Sequence, residues 1–312
     1  CPHHMQLFAD NQFSYRDMPV RYFEPATVYR DEKSGQLSGL TRVRAITQDD
    51  GHLFCRIGQI KEEVQQITEI IKTFYTTMGM TDDYWVSLSV RGDDKDKYLG
   101  GEDVWVQAET ALEEAAIASD LPYKRIEGEA AFYGPKLDFM FKDAIGREWQ
   151  LATIQCDFNL PIRFDLGFTN ENNEKERPIV IHRAISGSLE RGMWVLIEHF
   201  AAIFPLWLAP RQVTVLPVLP MFDDYAAKVV SDLKASWIRV SGDFSTDWLN
   251  KKVRNAEKMH NNYILVIGET EQESESVAVR NYKTKEQTVY MKTNHGAHHM
   301  TEEKNNKTKW TK

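Results

Sequence analysis

Apolar residues recur at three- and four-residue intervals in two stretches of the first half of the chain, a spacing that predicts two amphipathic helices. The first runs from Gly58 to Thr77, with Ile60, Val64, Ile67, Ile70, Ile71 and Phe74 along one stripe. The second follows the Gly100-Gly101 break and carries Val104, Trp105, Ala108, Ala111, Leu112 and Ala115 on one side. Elsewhere the pattern shortens. Val28 to Arg30 and Leu53 to Arg56 read as strands joined by the loop EKSGQLSGL, whose glycines suit a turn. LDFMF, a turn at DAIG and then REWQLATIQCDF predict an antiparallel hairpin. Ser188 to Phe204 closes this half as an apolar-rich helix.

Pro205 and Pro210 bracket a linker, because proline continues neither a helix nor a central strand. Beyond it the order is VTVLPV, a helix from Asp223 to Lys234, WIRV, a helix from Asp247 to Lys258, then YILVIG. That β-α-β-α-β alternation predicts a small sheet with parallel strands and crossover helices. From His295 onward apolar periodicity is lost and the chain reads as a disordered tail, whose three histidines offer only adventitious metal binding.

With 312 residues and 42% apolar content, the chain is long enough for two packed domains. No apolar run approaches a bilayer span and the first residues carry no signal-peptide pattern, so no membrane partner is expected. Three widely spaced cysteines argue against a disulfide framework and for a reducing compartment. The net charge of -8 sits poorly with an RNA partner, which needs local positive surface to displace counterions. Arg42, Arg44, Lys251, Lys252 and Arg254 could supply such patches; for the lysines, solvated surface charge is the alternative.

Four long segments change this picture. RYFEPATVYRDEKSGQLSGLTRVRAITQDDGHLFC (residues 21–55), AAFYGPKLDF (130–139), REWQLATIQCDFNLP (147–161) and PIVIHRAISGSLER (178–191) closely resemble, in this order, the catalytic core of the threonyl-tRNA synthetases. These are class II aminoacyl-tRNA synthetases. The likeness continues through PLWLAPRQVTVLPV and LNKKVRNAE and fades after about Arg280. It implies an α+β architecture: an antiparallel-sheet catalytic domain over residues 1–207, N-terminally incomplete, then an α/β anticodon-binding domain over 208–292 and a tail over 293–312. The family's first signature motif, which builds a homodimer interface, is expected before Cys1 and is not among these residues.

The activity implied is that of a threonine–tRNA ligase, which forms threonyl-adenylate from ATP and passes threonine to tRNA(Thr). One Zn²⁺ per chain and Mg²⁺ with ATP are the implied cofactors. The expected compartment is the cytoplasm, with the mitochondrial matrix as alternative. Enzymes of the same class for proline, glycine or serine are the nearest rivals. A rival of another kind is a catalytically impaired fragment or paralogue that binds RNA or protein.

Joining an amino acid to ATP brings two anions together, and arginine suits the task because its planar fork binds carboxylate or phosphate and stays charged. The resemblance gives this role to Arg30 in YRDE and Arg191 in GSLER. It places Glu32 on the adenine amino group, Arg42 on the outer phosphates and Ile46 on the adenine ring, with Gln150, Thr153 and Ser188 also around ATP. Cys1, His52 and His182 match the zinc ligands, an open three-ligand set suited to a small molecule; a closed zinc with His3 or Cys55 as fourth ligand is the alternative. Asp50, Gln48, Tyr133, Lys136 and Gln155 match the threonine pocket. Arg254, Glu271 and Arg280 fall at anticodon-reading positions, and Thr246 stands where asparagine is common.

Two residues depart from the family pattern. Ile46 replaces a phenylalanine that stacks on adenine, and Trp194 replaces glycine or alanine just past Arg191. Overpacking by the indole is expected to cost about 1–3 kcal/mol.

Overall fold

A computed structural model describes residues 1–81, 83–143 and 145–291. The predicted disordered tail, with its three histidines, lies outside the described residues. The first half runs α1 (Pro2–Ala9), β1 (Val20–Tyr29), β2 (Ala45–Cys55), α2 (Ile60–Thr77), β3 (Tyr84–Val90), α3 (Glu102–Ala118), β4 (Tyr123–Glu127) and β5 (Lys136–Lys142). It continues with β6 (Glu148–Asp157), α4 (Asn159–Arg163), the short β7 (Phe168–Thr169) and β8 (Lys175–Glu176), β9 (Ile179–Ala184) and α5 (Leu189–His199).

Seven of these strands form one sheet in the order β1-β2-β9-β6-β5-β3-β4. Every neighbouring pair is antiparallel except β3 and β4. The predicted hairpin is β5 and β6. The two predicted amphipathic helices are α2 and α3, which pack on each other and on the sheet. Tyr75 of α2 stacks on Phe141 of β5, with ring centroids 3.7 Å apart. Leu137, Phe139 and Phe141 therefore mark the helix-covered face, and the alternate residues Lys136 and Asp138 belong to the other.

Several expectations shift. Ile70, placed on the apolar stripe, is 55% exposed, since the face of α2 that packs is centred on Ile60, Val64, Ile67 and Ile71. The two short strands around EKSGQLSGL are the ends of ten- and eleven-residue strands. Pro25 hid the first of them. On an edge strand such as β1 its missing N–H is tolerated. The helix expected to reach Phe204 stops at His199, where Ala201 and Ala202 take left-handed backbone.

The second half contains β10 (Val213–Pro217), α6 (Asp223–Ala235), β11 (Val240–Gly242), α7 (Leu249–Lys258), β12 (Tyr263–Ile267), α8 (Glu269–Glu273), β13 (Ser276–Asn281) and β14 (Gln287–Met291). Its sheet order is β11-β10-β12-β13-β14, with β11, β10 and β12 parallel as the alternation predicted. β13 and β14 add an antiparallel edge that the periodicity did not reveal. The WIRV strand is displaced to Val240–Gly242, because Trp237 is left-handed and 84% exposed while Ile238 is buried in the core and Val240 packs against it. The helix expected from Asp247 starts at Leu249.

The chain divides into two compact units, Cys1–Val195 and the part from Leu196 onward. All three cysteines are free thiols. Among the described residues no helix is long and apolar enough to cross a membrane.

Candidate active site

Strand register assembles the first part of the site. Tyr22 pairs with His52, His52 with His182, His182 with Gln155 and Gln155 with Lys136, one row across β1, β2, β9, β6 and β5. Directly opposed residues hold their Cβ atoms about 4.5–5.5 Å apart, so residues from distant sequence become neighbours. Along β2 the alternation places Ile46, Gln48, Asp50 and His52 on one face.

At one end of this face, Cys1, His52 and His182 bring one donor atom each within 4.8 Å of one another. Cys1 Sγ lies 3.5 Å from His182 Nδ1. The far nitrogen of His182, Nε2, is 2.8 Å from Asp157 Oδ2, which holds the ring with Nδ1 toward the cluster. His52 is fully buried, and its Nε2 has no hydrogen-bond partner. Burial, and then the neighbouring His182, push its pKa down to about 2, so the ring is neutral at any working pH. A buried neutral imidazole with an orphan nitrogen, beside a thiol and a second oriented imidazole, fits a metal ion such as zinc. Neither alternative fourth ligand joins the cluster. Cys55, three residues beyond His52, belongs to the other face of β2, and His3 sits with His4 and Glu24.

Asp50 is buried next to this cluster, its Oδ1 3.7 Å from His52 Nε2. Tyr133 donates to Gln155 Oε1 at 2.9 Å, and burial raises its pKa. Lys136 Nζ lies 2.5 Å from Asp138 Oδ2. The other oxygen of Asp138 accepts from both Gln150 Nε2 and Thr153 Oγ1, each at 2.7 Å. A register shift in the β5–β6 ladder explains how this happens: Phe139 pairs with Ala152 and Met140 with Gln150, so Leu151 is the extra residue. The bulge reverses the alternation and returns Gln150 to the face of Thr153 and Gln155.

The other end of the face opens into a cleft of about 690 Å³, solvent included. Arg30, Glu32, Arg42, Ile46, Gln150, Thr153, Ser188 and Arg191 all line it, as does Gln48, so every residue assigned to ATP meets in one place. Arg191 is half-buried and donates from Nε to the Thr41 carbonyl at 3.0 Å. Burial, then the charges of Arg30 and Arg42, lower its pKa, although a guanidinium remains charged. Arg42 donates from Nε to Glu32 Oε2 at 3.0 Å, so the carboxylate assigned to adenine has a cationic partner here. Arg30 is exposed, and its guanidinium makes no hydrogen bond to a described residue. Trp194 does not line the cleft. It packs edge-on against Trp149 at 5.3 Å with the Arg147 guanidinium 4.7 Å over its ring, so the expected overpacking of the cleft is avoided.

Four supporting residues were not singled out from sequence: His4, Asp49, Asp138 and Asp157. Asp49 accepts the N–H groups of Ile185 at 2.7 Å and Gly187 at 3.0 Å, which fixes the loop before α5. Gly187 is obligatory there, with φ of +65° and a Cβ that would meet Leu151 O at 2.4 Å. The motifs contained these carboxylates, but strand assignment was needed to say where each points.

In the second unit, Thr246 lies exposed in the loop before α7 and Arg254 is exposed on α7. Arg280 on β13 holds Glu257 at 3.3 Å, and Glu271 Oε2 accepts the Gly268 N–H at 2.9 Å. Trp248, which caps α7, is 85% exposed and was also missed.

Known proteins carry the same organisation. Residues 1–200 match the model of the tRNA synthetase class II core domain (G, H, P, S and T), and residues 212–295 match the anticodon binding domain. Threonine–tRNA ligases of Porphyromonas gingivalis and Thermus thermophilus are 50% and 48% identical over 281 and 283 residues. Those matches cover 90% and 91% of this chain and 43% of each relative, so the chain spans less than half the length of these curated relatives. The solved RNA binding domain of threonyl-tRNA synthetase from Cryptosporidium parvum Iowa II superposes with a TM-score of 0.89 at 39% identity, over 96% of this chain and 74% of that one. Prolyl-tRNA synthetase from Cryptosporidium parvum shares the fold, with a TM-score of 0.68 at 17% identity over 97% of this chain and 57% of that one.

Proposed function

The chain belongs to the class II tRNA synthetases, and we propose that it activates threonine with ATP and serves its transfer to tRNA(Thr). The observation that carries the choice of amino acid is the buried, partnerless Nε2 of His52 beside Cys1, His182 and Asp50. A zinc held by Cys1, His52 and His182 would have coordination capacity left over for the amino and hydroxyl groups of threonine. Asp50, next to it, complements the ammonium. Valine is isosteric with threonine but lacks the oxygen, and a site built around a hydroxyl rejects such an analogue strongly because its own polar groups are left unpaired.

Activation joins the threonine carboxylate to the α-phosphorus of ATP and releases pyrophosphate. Arg30 has the chemistry to bridge the two reacting anions, and its guanidinium is free for them. Arg191, already desolvated and anchored to Thr41, binds the phosphates in the cleft. Its attraction to them is strengthened by the same burial that lowers its pKa. Glu32 and Arg42 are exchangeable partners: adenine and the outer phosphates, with accompanying Mg²⁺, would replace the ion pair between them. Asp138 holds Gln150, Thr153 and Lys136 in place along the floor between the two substrates.

The second unit is proposed to bind the anticodon through Thr246, Arg254, Glu271 and Arg280. Trp248 adds an exposed ring on which an unpaired base can stack. Threonine-dependent ATP–pyrophosphate exchange tests the reading. Exchange that requires threonine supports it. Exchange with none of threonine, serine, proline or glycine, in a protein shown to be folded, would favour the role of an RNA- or protein-binding module.

A further inference from the structure

A second cluster of metal-binding side chains adjoins the first. His3, His4 and Glu24 also bring one donor atom each within 4.8 Å of one another. His3 Nε2 touches Glu24 Oε1, and His4 Nε2 lies 3.8 Å from the same oxygen. His3 and Glu24 are half-exposed, while His4 is buried, so the cluster is open to solvent on one side and walled on the other. Two imidazoles and a carboxylate are donors that suit borderline divalent cations. The first turn of a helix disfavours a cation, and Glu24, from the neighbouring strand β1, supplies the opposing charge.

The two clusters share a contact. His4 Nδ1 and His52 Nδ1 are 2.7 Å apart. Two bare lone pairs would repel at that distance, so one proton lies between them. When it resides on His52 Nδ1, His52 Nε2 is bare and available to the inner cluster, and His4 carries its own proton on Nε2. When it resides on His4 Nδ1, His4 Nε2 is bare and available to Glu24 and His3, and His52 Nε2 is protonated. Metal at both places would require expelling the shared proton from a pair of neutral imidazoles.

We propose that His3, His4 and Glu24 form an outer site for a borderline divalent cation such as Zn²⁺ or Co²⁺, and that filling it excludes metal from the inner site. The exclusion rests on the inner site being the metal centre proposed above; the existence of the outer site does not. Excess metal captured at the outer site in the apo chain would thus lock His52 in the tautomer that cannot accept zinc.

Cobalt titration of the chelator-stripped full chain tests this, in a background with His295, His298 and His299 replaced by alanine. The inner site includes a thiolate and gives a sulfur-to-cobalt charge-transfer band; the outer site has no sulfur and gives ligand-field absorption alone. Cys1→Ala/His182→Ala is expected to take up about one Co²⁺ without the band. Adding Glu24→Gln, or the half-exposed substitution His3→Ala, is expected to weaken that uptake on the order of tenfold or more, with circular dichroism confirming the fold. The parent chain should take up one Co²⁺ with the band and no second ion at concentrations that fill the double variant. Uptake indifferent to both Glu24→Gln and His3→Ala would remove the outer site. Two ions in the parent chain, one with the band and one without, would overturn the exclusion. Absence of the band in the parent chain would sink the inner-site reading, and the outer site would then stand or fall on the other two variants.

Discussion

His52 on β2 and Arg30 just past the end of β1 belong to one antiparallel strand pair, yet their surroundings are opposites. The metal end is largely buried and held in place: His182 is fixed by Asp157, His52 contacts His4, and the one unsatisfied group is the buried Nε2 of His52. The nucleotide end is open and gathers the cations Arg30, Arg42 and Arg191; burial first, and then the charges of the other two, lower the pKa of Arg191. The contrast follows from what each end must do. Discriminating a hydroxyl from a methyl needs rigid, desolvated polar groups. Receiving a triphosphate needs positive charge that only an incoming anion can neutralise.

Four measurements test whether the two ends differ in this way. Valine should be activated worse than threonine by a factor approaching 10⁴, whereas serine, which lacks only a methyl, should lose about 10–200-fold. Exchange rates for the three amino acids give the ranking directly, and valine equal to serine would mean that the metal end does not read the hydroxyl. Arg30→Ala should reduce exchange by about 10²–10³-fold, the loss of one charged donor to the transition state, with unchanged thermal unfolding because the side chain is exposed. Activity within a few fold of the parent chain would show Arg30 to be misassigned. Asp157→Asn should lower zinc affinity about 10–100-fold in chelator competition while leaving nucleotide binding alone, since Asp157 orients His182 and its other oxygen accepts, among the described residues, only the Asn159 and Leu160 N–H groups at the start of α4. Were ATP affinity to fall as well, the two ends would be coupled and the contrast too sharp. Trp248→Ala tests the second unit: loss of one stacked base costs about 1–3 kcal/mol at fixed salt, read in tRNA affinity and not in threonine-dependent exchange.

Much of this site was legible as residue types. Cys1, His52 and His182 come together, and every residue assigned to ATP lines a single cleft. What the sequence did not disclose was support. Asp138 joins three pocket residues only because a bulge at Leu151 turns Gln150 inward, and a bulge has no signature in periodicity. The sequence placed Trp194 beside Arg191 as an obstruction, but the ring packs on Trp149 and Arg147 and does not line the cleft. His4 and Asp157 act through other side chains, and such roles depend on direction.

By itself the sequence determined what rests on local repetition and on motif chemistry. The stripes of α2 and α3 and the parallel alternation of the second unit follow from the burial of apolar faces at helical and strand periods, which any window of the chain expresses. The tertiary structure alone decided what depends on pairing partners. β13 and β14 exist because β12 offers an edge, the WIRV strand starts only at Val240 because Trp237 turns out to solvent, and the row from Tyr22 to Lys136 is set by register across five strands. Non-local hydrogen bonds have no local signal, so the contact between His4 Nδ1 and His52 Nδ1, forty-eight residues apart, was visible only once those strands were in place.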